Sequence, residues 1–522
     1  MSASQEKRRR QQEREQGLDK KQLEQLEEQK KRKKTKISVT IIVIVFVLLV
    51  AFVVVINSSF IRRSVTAVSI GDVDFTVADY NYHYNIAYYE YYNEIYTNYP
   101  DYASSLLPNT STPFESQIYD NETGQTWASR FEEMTLESMK KTSMLYAEAM
   151  KNGFALDEDQ QKELDNTIAA EEESAYTYGH SSFDKFLSSY YGRAVNKNVY
   201  VKNLTMKFIS AAYSEHVMNS YTYEDKELEE YYETKKDYFD MITYRYIFIQ
   251  AEEVDESLYE GEEAIAAAKE EAVADAEKIA KSYAADITDE ESFIAAALDF
   301  DAETYAKPES TLHTYMGSLL GSYYGPWLLD ASRVEGDVTT ATMANGAYVV
   351  YFINHDDNHY ETVNVRHILI SPETISETDY EDDTEAYEAA VEAARETAKK
   401  DAEALYQQWK DEGGTEELFE QFADEHSSDM AVGGLYEKVN KGRMVPEFDA
   451  WCFDPARKPG DTGIVESSSY GYHIMYFVGN DILYSNSLAQ DELRTAAYTE
   501  WETEAMKNYT EPTTKWIYSL VG

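Results

Sequence analysis

The chain has 522 residues, with 47 Lys+Arg against 96 Asp+Glu and a formal net charge of −49. Length points to about three domains, and 43% hydrophobic residues are enough for real cores, which excludes global disorder. Residues 1–36 hold 13 basic and 7 acidic side chains, whereas 61–522 hold 34 and 89, a field that repels phosphate and excludes nucleic acid as a partner. The single cysteine, Cys452, excludes an internal disulfide framework, a CxxC redox pair and a thiolate zinc cluster. No metal and no cofactor is expected.

The first element in chain order is the uncharged run from Ile37 to Ile56, 20 residues long. As a helix it measures about 30 Å, the thickness of a bilayer core. Secretory signals have a shorter apolar stretch and a small-residue cleavage site, so an uncleaved anchor is expected. Lys30-Lys31-Arg32-Lys33-Lys34-Thr35-Lys36 precedes it, and this excess keeps the N-terminus cytoplasmic. Residues 1–36 are then a basic cytoplasmic tail, 37–57 a transmembrane helix in the lipid bilayer, and the C-terminal bulk is extracytoplasmic.

Residues 66–240 read as a mainly helical module. Val68-Ser69-Ile70-Gly71-Asp72-Val73-Asp74-Phe75 predicts a short hairpin turning at Gly-Asp. Ten tyrosines follow between Tyr80 and Tyr102. They are either a groove for unfolded polypeptide or the packed face of a helix. Helices are expected from Asp157, over Asn196–Met218, and from a cap at Thr222 through Tyr232. A last helix, over 485–520, is expected to pack back and complete this module.

An internal repeat comes next. Tyr244-Arg245-Tyr246-Ile247-Phe248-Ile249 matches Val365-Arg366-His367-Ile368-Leu369-Ile370. Trp327-x-x-Asp330-x-x-Arg333-x-x-Gly336-Asp337 matches Trp451-x-x-Asp454-x-x-Arg457-x-x-Gly460-Asp461. The strand from Gly346 to Phe352 matches that from Gly471 to Phe477. Each copy runs strand, Ala/Glu-rich helix, polar stretch, strand, which predicts two copies of one α+β domain over 242–355 and 363–480.

Five segments of the second copy follow in order: Arg366-His367-Ile368-Leu369-Ile370; Phe422 to Asp429 before Gly433-Gly434-Leu435; Gly442-Arg443-Met444-Val445-Pro446-Glu447-Phe448; Pro459-Gly460-Asp461; and Gly471-Tyr472-His473-Ile474. In this order they resemble the parvulin family of peptidyl-prolyl cis-trans isomerases. The layout of anchor, helical module and parvulin unit resembles the extracytoplasmic foldases of the PrsA and SurA type. The resemblance implies a four-stranded antiparallel sheet wrapped by helices, hence an α+β chain with two tandem parvulin-like domains. Three departures stand out. Gly433-Gly434-Leu435-Tyr436 replaces the common Gly-Gly-Asp-Leu-Gly, Ser468 stands where threonine is common, and an acidic stretch lengthens the loop after the first strand.

By the same resemblance His367, His473, Asp429 and Ser468 form the polar network of the catalytic site. Met444 and Phe448 form an apolar cup for the proline ring, with Leu435 at its edge. A helical i, i+4 spacing would put Met444 and Phe448 on one face. In the first copy Tyr246 and Tyr348 replace both histidines. Tyrosine is larger and titrates near pH 10, so this copy is expected to be inert. The chain is thus expected to isomerise X-Pro bonds in unfolded or newly exported polypeptides. The alternative is a non-catalytic, membrane-anchored holdase that uses the same fold to bind peptide. The sequence leaves the oligomeric state open, a homodimer included.

Overall fold

The computed structural model describes residues 3–17, 20–56, 58–380, 383–429, 431–509 and 511–515. The fold is mixed α and β and divides into two compact units, one of residues 1–221 with 496–522, the other of 222–495.

The first unit begins with helices α1 (Ala3–Gln16) and α2 (Lys20–Ile56). The apolar half of α2 is exposed along its whole length, including Ile42 and Phe46. Such an all-round apolar helix is long enough, and apolar enough, to cross a bilayer. Helix α3 (Ser59–Ser64) leads to strands β1 (Thr66–Ile70) and β2 (Val73–Thr76), an antiparallel hairpin. Gly71 at its turn has φ +55°, which a side chain would strain.

Helix α4 (Val77–Asn98) opens with a reciprocal cap. Asp79 Oδ2 accepts from the Thr76 backbone N–H at 2.8 Å, and Asp79 N–H donates to Thr76 Oγ1. Asp79 is buried, and Asn203 Nδ2 donates to its Oδ1 at 2.7 Å, so one carboxylate ties two helices together. Strands β3 (Ile118–Asp120) and β4 (Gln125–Thr126) form a small hairpin before helix α5 (Trp127–Lys151). Then come α6 (Glu158–Thr177), capped by Asp157, α7 (Phe183–Tyr190) and α8 (Lys197–Ser220), capped by Asn196.

In this unit residues from Ala496 onward pack on α5 and α8. Tyr498 and Ala505 join Met144, Leu145 and Tyr213 in one cluster, and Ser214 Oγ donates to Tyr498 Oη at 2.7 Å. The predicted helix over 485–520 is shorter: it spans Tyr484–Met506. A strand, Thr513–Thr514, then pairs antiparallel with β1. Residues 510 and 516–520 of that expectation lie outside the described residues.

The second unit opens with α9 (Asp225–Thr234). Its cap is Glu224, not Thr222: Glu227 Oε2 accepts from the Glu224 N–H at 2.9 Å. Two four-stranded antiparallel sheets follow. The first contains β5 (Met241–Gln250), β6 (Leu312–Met316), β7 (Val338–Met343) and β8 (Gly346–Asp356), in the order β6-β5-β8-β7. Helices α10 (Glu262–Asp286) and α11 (Glu290–Phe300) cross between β5 and β6. The second contains β9 (Glu361–Ile370), β10 (Leu435–Val439), β11 (Thr462–Ser467) and β12 (Gly471–Leu483), in the order β10-β9-β12-β11. Helices α12 (Thr384–Asp411) and α13 (Glu416–His426) cross between β9 and β10, and α14 (Pro446–Cys452) lies between β10 and β11.

Strand period 2 gives each sheet two faces. In the second, Ile368, Tyr472 and Ile474 pack on Ala398, Ala402 and Trp409 of α12 and on Phe419 and Phe422 of α13. Val363, Val365, Met475 and Phe477 face the other way, onto Val439, Phe448 and Cys452. Cys452 is a buried free thiol, and burial pushes its pKa up to about 12.

Candidate active site

His367 on β9 and His473 on β12 share the face that α14 covers. Antiparallel register pairs His367 with Met475 and His473 with Leu369, so the two imidazoles sit diagonally across the central strand pair. Their Nδ1 atoms are 3.2 Å apart, and the residues are 3% and 5% exposed. Phe448 packs edge-on to both rings, with centroids at 5.3 and 5.5 Å and interplanar angles of 87° and 88°. Asp429, in the loop after α13, places Oδ2 3.3 Å from His367 Nε2. Asp429 Oδ1 also accepts from the Ala431 N–H at 3.0 Å.

These contacts fix the protons. A carboxylate only accepts, so His367 carries its proton on Nε2. A neutral imidazole protonated there has a bare Nδ1. That atom therefore accepts from Nδ1–H of His473. His473 Nε2 is left as a buried acceptor without a hydrogen-bond partner among the described residues. Burial lowers the pKa of His367 to about 4, assisted by the neighbouring His473 and opposed by Asp429. Burial also lowers that of His473, against Asp429 and Glu447. Both rings are neutral at neutral pH.

Two expected residues lie elsewhere. Leu435 pairs with Arg366 and so points to the α12–α13 side of the sheet, away from the histidines. Tyr436, paired with Val365, takes the place beside the cup. Its ring centroid is 5.2 Å from that of His367, and its hydroxyl donates to both Asp429 oxygens at 3.1 Å. A gapless overlay of Gly-Gly-Asp-Leu on Gly433-Gly434-Leu435-Tyr436 puts the family's leucine on Tyr436, a signal that sequence reading missed.

Ser468 is the second. It is exposed in the β11–β12 turn, and its carbonyl accepts from Arg395 Nη1 at 3.2 Å. The buried Ser467, paired with Gly471, lies on the histidine face instead, and its Oγ accepts from the backbone N–H groups of Ser469 and Tyr470. Strand alternation explains the swap: β11 still runs at Ser467, and Ser468 begins the turn.

Met444 and Phe448 both join the cluster under the sheet, Phe448 fully and Met444 partly buried. Helical spacing does not bring them together, because α14 starts at Pro446 and Val445 is its extended cap. The Gly433-Gly434 pair has a steric cause. Gly434 has φ +64°, and a Cβ there would stand 2.3 Å from the His367 carbonyl oxygen. The loop can approach β9 only with glycine at this point.

The sheet in the order β10-β9-β12-β11 thus carries two paired central histidines roofed by an aromatic ring. Residues 348–479 match the model of the family described as the PPIC-type PPIASE domain. The chain carries a parvulin-type peptidyl-prolyl cis-trans isomerase domain there. Comparison with curated proteins gives no match. Among solved structures, the peptidylprolyl isomerase PrsA of Bacillus anthracis is 22% identical, with 29% of this chain and 59% of that chain covered and a TM-score of 0.16. The Bacillus cereus PrsA is 12% identical over 76% and 91%, TM-score 0.16. The foldase protein PrsA of Streptococcus pneumoniae is 14% identical over 53% and 87%, TM-score 0.21.

Proposed function

We propose that the protein is a membrane-anchored foldase of the PrsA type, which isomerises X-Pro bonds in newly exported polypeptides. The observation that carries this reading is the neutral His367–His473 pair beneath Phe448, within the family-matched domain.

The chemistry follows from what isomerisation needs. The barrier to amide rotation is about 18–20 kcal/mol, and it exists because the planar amide is resonance-stabilised. A group that hydrogen-bonds strongly to the planar carbonyl stabilises the ground state and slows the reaction. Two uncharged imidazoles, with their mutual proton already committed, offer no such cation. His473 Nε2 presents a lone pair and no donor. Met444, Phe448 and the Tyr436 ring supply apolar surface for the proline ring. His367, His473 and Asp429 are proposed as the catalytic network, and Tyr436, Met444 and Phe448 as the substrate cup.

Residues 242–355 are proposed as a second, inert parvulin-like domain. Both sheets share one strand order, and each has the same arginine clamp, buried at Arg245 and partly buried at Arg366. Arg245 Nε donates to Glu290 Oε1 at 2.8 Å, as Arg366 Nε donates to Glu416 Oε1 at 3.0 Å. Where the second copy has its site, the first has packed aromatics. Tyr324 stacks against Tyr246 and meets Tyr348 edge-on, with centroids at 6.2 and 5.1 Å. The helical module of unit one is proposed to hold unfolded clients. The basic tail is assigned to the cytoplasm and the rest to the exterior.

The test is a proline-tetrapeptide assay on the full chain. His367→Ala and Asp429→Ala should each reduce the isomerisation rate. Rates equal to wild type for both would leave a holdase without catalysis.

A further inference from the structure

The ten tyrosines between Tyr80 and Tyr102 do not share one environment. The N-terminal ones are core: Tyr80 and Tyr82 are buried. From Tyr88 onward the rings form a connected wall that reaches the surface. Tyr88 contacts Tyr92 at 4.6 Å and Phe114 at 5.7 Å, and Phe114 contacts the buried Phe131 at 5.5 Å. Trp127 joins Phe131 at 5.5 Å and Tyr119 at 4.8 Å. At the two ends the wall is open. Tyr96 is 57% exposed, Ile118 50% and Tyr119 39%. Between those ends Trp127 and Phe131 are buried and Tyr88, Tyr92 and Phe114 half-buried, so the exposed rings Tyr89, Tyr96 and Tyr119 stand on an aromatic layer that holds them in place.

The rim decides the partner. Arg130, which lies 5.5 Å over the Tyr119 ring, and Lys207 are already matched, by Glu133 at 3.2 Å and Glu90 at 2.8 Å. Glu94, Asp101, Glu115 and Glu122 are exposed around the wall, and no cation pairs with them among the described residues. Burial raises the hydroxyl pKa of Tyr91, with Tyr119 and then Glu94 adding to it and Arg130 opposing, and burial followed by Glu115 raises that of Tyr84. A lipid surface fits the rings, but an anionic leaflet is repelled by this rim. A folded acidic protein is repelled too.

We propose that this ring wall on α4, β3 and α5 is a docking surface for extended, non-native polypeptide whose aromatic or aliphatic side chains are interspersed with Lys or Arg. This rests on the foldase reading and names its client class. Tyrosine suits the task, because it gives large contact area at low conformational cost and a hydroxyl for passing backbone. The acidic rim adds attraction at range and selects sign.

The experiment uses the full chain in dodecyl maltoside and three fluorescent peptides of identical Phe/Leu content, carrying Lys, no charge, or Glu. The Lys peptide should bind about tenfold tighter than the Glu peptide, and the gap should close in high salt. A combined Tyr96→Ser, Ile118→Ser and Tyr119→Ser variant should weaken all three about tenfold while its tetrapeptide isomerisation stays at wild-type rate, with unchanged circular dichroism and melting curve as the check that its own unit folds. Glu94→Gln with Glu115→Gln should erase only the Lys-over-Glu preference. Unchanged binding by the triple variant, equal binding of Lys and Glu peptides, or wall-dependent binding to phosphatidylglycerol vesicles would overturn the proposal. Wild-type suppression of aggregation of a denatured test protein separates the two layers. If wild type suppresses and the triple variant does so equally, the surface is wrong and the foldase reading stands. If wild type does not suppress at all, the client-holding reading itself is lost.

Discussion

Lowering the pH from 7 to 5 should leave isomerase activity almost intact. An unperturbed imidazole, with a pKa near 6.5, is only about 3% neutral at pH 5. His367, held down to about 4 by burial and by His473, is still about 90% neutral there. If neutrality of the pair is what the reaction requires, the two cases differ about thirtyfold in rate at pH 5. The same shift links to stability. The unfolded chain takes up a proton near 6.5 that the folded site refuses until about 4. Stability is therefore complete above the unfolded value and declines as the pH falls between the two, by about 3 kcal/mol in all. The assay is the tetrapeptide rate across pH 5 to 8, read beside an NMR titration of the His367 and His473 ring protons. An acid limb centred near 6.5, with both rings titrating there, would refute the claim that the site is dry and uncharged.

Other consequences can be checked on the same protein. Phe448→Ala removes a fully buried ring from above both imidazoles and should destabilise the domain by about 3–5 kcal/mol in denaturant titration, whereas Phe448→Leu should fold and lose rate. Tyr436→Phe keeps the ring and deletes the donor to Asp429, so about 1.5–3 kcal/mol of charge-assisted bonding is lost and the ring nitrogen shifts of His367 should show mixed tautomers. Gly434→Ala forces a Cβ against the His367 carbonyl at positive φ and should lower both melting temperature and rate. Tyr246→His with Tyr348→His should not make the first repeat active, because Tyr324 still packs against that position.

Much of this fold is legible in the sequence because local signals and long-range ones agree. The Ala/Glu runs become α10 and α12, and the caps at Asp157 and Asn196 start helices where side-chain oxygens can take orphan N–H groups. The repeat is legible because its motifs hold the fold. Arg333 lies 4.8 Å over Trp327, as Arg457 lies 3.8 Å over Trp451. Gly336 N–H donates to the Phe352 carbonyl, as Gly460 N–H donates to that of Phe477, at 3.0 and 2.8 Å. Site residues on regular strands, His367 and His473, are legible for the same reason. Asp429, in a loop, is legible through its motif, but two residues at strand ends are not. Leu435 and Ser468 each miss the histidine face by one residue, since period 2 turns a one-residue error into the wrong side of the sheet. The strand at Thr513–Thr514 has no periodic signal at two residues' length, and only its pairing with β1 creates it.

The two repeats separate what the fold requires from what the chemistry requires. Arg245 and Arg366 sit on the helix-covered side of their first strands, each held by a glutamate at the start of the second helix. Each arginine also donates to a loop carbonyl, that of Pro308 or of Gly433, and so ties the first strand, the second helix and a loop together in both copies. On the opposite face the first copy is aromatic. Tyr246 meets Tyr348 edge-on at 5.4 Å and stacks on His313 at 4.3 Å, beside a Tyr244–Tyr324 hydroxyl pair at 3.3 Å, a packing that needs no histidine pair. A histidine pair buried to 3% and 5% exposure must instead be neutral, internally bonded and anchored by Asp429. Packing alone is satisfied more simply by tyrosine, as the first copy demonstrates. The more demanding arrangement in the second copy is what a function, and not the fold, asks of that face.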